Sequence, residues 1–98
     1  MTQLLTVVAE MRAKPGKENA LRQVVLELIE PTQAEPGCLQ YDLHEHVSEP
    51  GHFVFYEKWT DEEALTKHLS SAHLTAFKAS WPELLDGAPV VERYRRIA

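Results

Sequence analysis

"HFVFYEKW", residues 52–59, is the stretch that decides how this chain folds. Successive residues of a β-strand point to opposite faces of the sheet, so a strand with one wet face alternates apolar and polar side chains. Phe53, Val54, Phe55 and Tyr56 break that alternation, and both faces of the strand therefore call for cover. Leu4 with Leu5, and Val7 with Val8, repeat the violation in "LLTVVAEMRA" (4–13), a strand-like run that ends at the Pro-Gly turn of "KPGK". Just upstream of residue 52, "CLQYDLHEH" (38–46) sets Leu39, Tyr41 and Leu43 against Gln40, Asp42 and His44. That is the period of a half-buried strand, and "VSEPG" turns it into 52–59 as a hairpin.

The rest of the chain reads as helices and one further strand. In "KENALRQVVLELIE" (17–30), Ala20, Leu21, Val24, Val25, Leu28 and Ile29 recur on one helical face. Pro31 ends or kinks that helix, and Glu35-Pro36-Gly37 stops it. Asp61 is a candidate N-cap for "EEALTKHL" (62–69), and "SSAHLTAFKASWPELL" (70–85) resumes the pattern through Leu74, Phe77, Trp81 and Leu85. After Gly87 and Pro89, "VVERYRRI" (90–97) reads as a last strand. Strand, helix, strand, strand, helix, strand is the ferredoxin-like α+β arrangement with an antiparallel sheet, one domain over residues 1–98. Both helices belong on one face of that sheet, so the apolar residues of the other face need a cover the chain itself does not supply. A second copy is the simplest one, which predicts a homodimer packed sheet on sheet.

Composition excludes several functions. The 98 residues carry a formal net charge of −5 and scatter their ten Lys and Arg, apart from Arg95 and Arg96 next to Arg93, which argues against nucleic acid as a partner. The apolar runs fall far short of the ~20 residues of a membrane span. The N-terminus lacks the basic and apolar blocks of a secretion signal, so a soluble, cytoplasmic protein is expected. The single cysteine, Cys38, has no partner for an internal disulfide or a zinc knuckle and reads as a small buried side chain. No nucleotide motif or metal-ligand set stands out, and no cofactor is expected.

Three blocks carry a family resemblance: "LTVVAEMRAKPGK" (5–17), "EPGCLQYDLHE" (35–45) and "FVFYEKWTDEEALTKHLSSAHLTAF" (53–77). In content and order they resemble the antibiotic-biosynthesis-monooxygenase (ABM) domain family, particularly its small stand-alone members similar to quinol monooxygenases. The resemblance implies a dimeric α+β barrel with a pocket between helices and sheet. It further implies oxidation of electron-rich phenols or hydroquinones by O₂ without metal, haem or flavin, although isomerases share the family. It does not extend to the haem-degrading branch of the wider superfamily. Where those enzymes place an Asn, a Trp and a His, this chain holds Ala9, His68 and Lys78.

Candidate site residues follow from what such chemistry needs: a dry aromatic slot, a proton acceptor and a donor for the developing oxyanion. Trp59, Phe53 and Phe55 share a strand face with Glu57, giving aromatic walls and a carboxylate, and the family resemblance also places an active-site Trp at Trp59. Core packing for Trp59, and an ion pair of Glu57 with Arg12 or Lys58, are the structural alternatives. Tyr41, Asp42 and His44 on the neighbouring strand are weaker candidates. His68 and His73 stand five residues apart, ~140° around an unbroken helix, which disfavours joint metal ligation. If Ser70-Ser71 breaks the helix, Ser71 caps a new segment from Ala72 and His73 enters its first turn. The positive end of the helix dipole there disfavours imidazolium, which suits a base for a phenolic hydroxyl. Plain packing of His68 beside Leu65 and Leu69, with His73 merely ending the break, is the structural alternative. Two other functions share the pocket, an isomerase or lyase working without O₂ and a non-catalytic small-molecule-binding dimer.

Overall fold

The computed structural model describes residues 4–98; Met1 to Gln3, on which the expectation about a secretion signal partly falls, lie outside them. The elements run β1 (Leu5–Arg12), α1 (Glu18–Leu26), α2 (Ile29–Gln33), β2 (Cys38–Glu45), β3 (His52–Trp59), α3 (Glu62–Leu69), α4 (Ala72–Leu84) and β4 (Val90–Tyr94). The sheet has the order β2-β3-β1-β4 with every neighbouring pair antiparallel, which is the ferredoxin-like α+β fold. Val7, Ala9, Met11, Tyr41, Phe53, Phe55 and Trp59 form the sheet's contribution to the core. The helices cover that face with Leu21, Val25, Leu65, Leu74 and Phe77.

The first helix breaks earlier than its apolar period suggests. Pro31 has no N–H to give the carbonyl of Glu27, so α1 closes with Glu27 as its C-cap and α2 begins at Ile29, with Pro31 in its first turn. The second helical stretch breaks at Ser70-Ser71, the position the sequence marks. The Ala64 N–H donates to the Asp61 carboxylate at 2.9 Å and starts α3, and the Leu74 N–H donates to Ser71 Oγ at 3.3 Å and starts α4. Both side chains satisfy backbone donors that a helix leaves unpaired at its first turn.

Two sequence expectations need correction. Leu39 is not a core residue. A bulge between Cys38 and Gln40 places it outside the pairing register, and it projects into solvent while Tyr41 is buried. The last strand ends at Tyr94 rather than Ile97: Tyr94 pairs with Thr6, next to the start of β1 at Leu5. The second sheet face carries Val8, Val54 and Tyr56, all half-buried, and β4 is exposed along its whole length. Among the described residues no helix is long and apolar enough to cross a membrane.

Candidate active site

An apolar cavity of about 60 Å³ lies between the middle of the sheet and α3 and α4. It is well below the ~300 Å³ of a drug-sized pocket. Met11, Phe55, Tyr41, Phe77 and Val91 supply part of its apolar wall, and Glu57, His68, Lys78 and Trp81 bring the polar groups. Tyr41 stacks on Phe55 with ring centroids 4.8 Å apart, and Phe77 meets Trp81 edge to face at 5.7 Å.

Of the expected site residues, Glu57, His68, Phe55 and Tyr41 line this cavity, whereas Trp59, Phe53 and His73 do not. Strand geometry explains the first two absences. Phe53 and Trp59 share the core face but stand roughly 20 Å apart along β3, and the cavity sits between them over Phe55 and Glu57. Phe53 lies at the α1 end, where the Arg22 guanidinium approaches its ring. Trp59 is fully buried, packs against the His68 imidazole at 4.6 Å and donates its indole N–H to Glu57 Oε1 at 2.9 Å. It therefore supports two wall residues from behind. Asp42 and His44 are exposed.

The two histidines meet on a residue not anticipated from the sequence. His68 Nδ1 lies 2.7 Å and His73 Nε2 lies 2.8 Å from the same oxygen, Glu35 Oε2. A carboxylate oxygen only accepts, so both ring nitrogens that face Glu35 are protonated ones, and neutral His68 keeps a lone pair on its other nitrogen. The helix break makes this possible. Ser71 Oγ donates to the His68 carbonyl at 2.6 Å, and the restart of the helix swings His73 back toward α3, bringing the rings to 6.0 Å. The angular objection to shared ligation applies to an unbroken helix and does not hold here: Glu35, His68 and His73 are close enough to hold a metal ion.

The site's electrostatics follow from burial. His68 is 2% exposed, and loss of solvent holds its imidazole below the ordinary value, with the Glu35 hydrogen bond opposing. It is thus a neutral acceptor held by a carboxylate on its far nitrogen, the arrangement that orients a general base. Glu57 is also buried. Desolvation pushes its carboxyl up to about 7 against the Trp59 hydrogen bond, with the Glu35 charge adding to the rise. It pairs with neither Arg12 nor Lys58. Arg12 lies beside Glu49 instead, and Lys58 projects from the opposite face. Burial likewise raises the Tyr41 hydroxyl far above its usual range, so Tyr41 stays a neutral phenol. The indole N–H of Trp81 is buried with no protein partner among the described residues, leaving an unused donor on a wall residue. The sequence signals for Trp81 and Glu35 were weak, a helix-face aromatic and the acid of a Pro-Gly stop.

Residues 4–80 match the family model described as antibiotic biosynthesis monooxygenase. The chain belongs to this family. It is 38% identical over 82 residues to "Putative monooxygenase YcnE" of Bacillus subtilis, covering 84% of this chain and 86% of that protein. It is 36% identical over 85 residues to "Putative monooxygenase Rv0793" of Mycobacterium tuberculosis, covering 87% and 83%. Among solved structures, PA3566 from Pseudomonas aeruginosa superposes with a TM-score of 0.94 at 35% identity over 100% of this chain and 98% of that one. The structure of Rv0793 does so with a TM-score of 0.91 at 32% identity, over 97% and 96%. The ABM family and the monooxygenase names of these relatives support a monooxygenase-like function.

Proposed function

We propose that this protein is a cofactor-independent monooxygenase that oxidises a small, single-ring phenol or hydroquinone with O₂, and that His68 is its base. The observation that carries the reading is the Glu35-His68 pair at the wall of a small apolar cavity between the sheet and the helices. The substrate hydroxyl gives its proton to His68 Nε2, and the imidazolium that forms is stabilised by Glu35. The phenolate passes one electron to O₂, and the radical pair combines at a ring carbon bearing hydrogen. Loss of water from that peroxide leaves a quinone. A phenol plus O₂ then yields quinone plus water, all four electrons coming from the substrate. Glu57, which holds a proton up to about neutral pH, donates to the developing peroxide or oxyanion, and the Trp81 N–H binds a substrate oxygen. His73 acts through Glu35 as a positioning residue.

The active form is proposed to be a homodimer. Val8, Val54 and Tyr56, half-buried, and Val90 and Tyr94, about half-exposed, form an apolar band on the uncovered sheet face, which a second copy would bury.

Oxygen uptake with a panel of one-ring hydroquinones tests this reading. His68→Ala should lower turnover about 10²- to 10⁴-fold, the range for a positioned base, and His73→Ala less than about tenfold. The reverse order would return the role to His73. Catalysed proton exchange without oxygen uptake would instead identify an isomerase built on the same base.

A further inference from the structure

A second histidine cluster lies at the hairpin that joins β2 to β3, and it shares no residue with the cavity wall. His46, Glu49 and His52 form a His-x-x-Glu-x-x-His run across the turn. The His46 N–H donates to the His52 carbonyl at 2.8 Å, which sets the two residues opposite each other, and their rings stack at 5.0 Å and 14°. His52 has a side chain only 8% exposed, and both of its ring nitrogens face carboxylates. Nε2 lies 2.9 Å from Glu10 Oε2, and Nδ1 lies 3.0 Å from Glu49 Oε1.

A neutral imidazole offers one N–H and one lone pair. With Nε2–H given to Glu10, the Nδ1 lone pair points at the Glu49 carboxylate, so the two can ligate one metal ion on that edge. The other Glu49 oxygen faces His46 Nε2 at 3.9 Å. Tetrahedral zinc with ligands near 2.0–2.1 Å separates neighbouring donor atoms by about 3.3 Å; His52 Nδ1 and Glu49 Oε1 stand 3.0 Å apart, and one donor atom from each of the three residues lies within 4.8 Å of the others.

We propose that His46, Glu49 and His52 form a site for a divalent transition-metal ion, with Glu10 as the outer carboxylate that fixes the His52 tautomer. Two imidazole nitrogens and one carboxylate oxygen suit zinc, copper or nickel. A carboxylate on the remote nitrogen of a ligating histidine is the usual support of such sites. His46 and Glu49 are exposed, so the fourth position is open to water or to a ligand from solution. Binding requires His46 to present the Nε2 lone pair. Its Nδ1 now accepts from the Ser48 backbone N–H at 3.1 Å, and in the metal-bound tautomer Nδ1–H would donate to Ser48 Oγ, 3.4 Å away. Arg12, 3.8 Å from Glu49, is the cation that competes for the carboxylate.

Calorimetric titration of the untagged full chain with zinc chloride tests the site, with histidine ring NMR to locate the ion. One zinc per chain should bind and shift the ring signals of His46 and His52. His46→Ala and Glu49→Gln, both exposed and expected to fold, should each weaken binding more than about tenfold, since even outer-sphere partners are worth 10- to 100-fold. His68→Ala should leave zinc binding unchanged. No stoichiometric binding at millimolar zinc would overturn the proposal. So would binding that survives His46→Ala and Glu49→Gln but is lost in His68→Ala, which would place the ion on Glu35, His68 and His73.

Discussion

Replacing Glu57 by Gln should make the protein more stable above neutral pH, and the size of the gain follows from its burial. An acid whose folded pKa is raised binds more protons folded than unfolded, so stability falls as pH rises from the unfolded to the folded value. For Glu57 that window runs from the ordinary 4.5 to about 7. At 1.36 kcal/mol per unit, the ionised carboxylate costs about 3 kcal/mol once the window is passed, and most of that develops between pH 5 and pH 8. Gln keeps an oxygen to accept the Trp59 N–H but has no charge to bury. Urea unfolding of both proteins at the two pH values gives the quantity directly. The stability of Glu57→Gln relative to the parent should rise by roughly 2–3 kcal/mol from pH 5 to pH 8, other titrating groups cancelling in the difference. A relative stability that does not change with pH would show that Glu57 ionises normally and is no proton donor at neutral pH.

Three further outcomes follow from local geometry. Gly37 has φ +89°, and a Cβ there would lie 2.6 Å from Ala64 Cβ and 2.8 Å from Thr60 Oγ1, so Gly37→Ala should destabilise by about 2–4 kcal/mol in a urea melt. Ser71→Ala removes the α4 cap and its bond to the His68 carbonyl, and the thermal midpoint should drop by the equivalent of ~1 kcal/mol, several degrees for a chain of this length. Trp81→Phe keeps the ring but loses the unpaired N–H. KM for a hydroquinone should rise about 3- to 10-fold while kcat changes less, as measured by oxygen uptake.

The fold was legible because its cues are local. Pro-Gly turns, the alternation in 38–46, the Asp61 cap and the Ser70-Ser71 break all act within a few residues, and the strand order follows once the elements are placed. The departures came from features with no local signature: the bulge that expels Leu39, and the end of the last strand at Tyr94. The site divides in the same way. His68, Glu57, Phe55 and Tyr41 could be nominated from residue type and face. Glu35 could not, because 33 and 38 residues separate it from the histidines it joins, and nothing local distinguishes it from any acid before a Pro-Gly stop. Trp59 and Phe53 were overvalued because alternation reports the face a residue shares and says nothing of where along β3 the cavity opens.

The most direct test of the central claim is the fate of isotopically labelled oxygen. Turnover of a one-ring phenol under ¹⁸O₂ should place one labelled atom in the quinone and the other in water, and His68→Ala should abolish the catalysed part of that incorporation. Release of both labelled atoms as hydrogen peroxide, or product formed with no label at all, would contradict a monooxygenase mechanism run from this cavity.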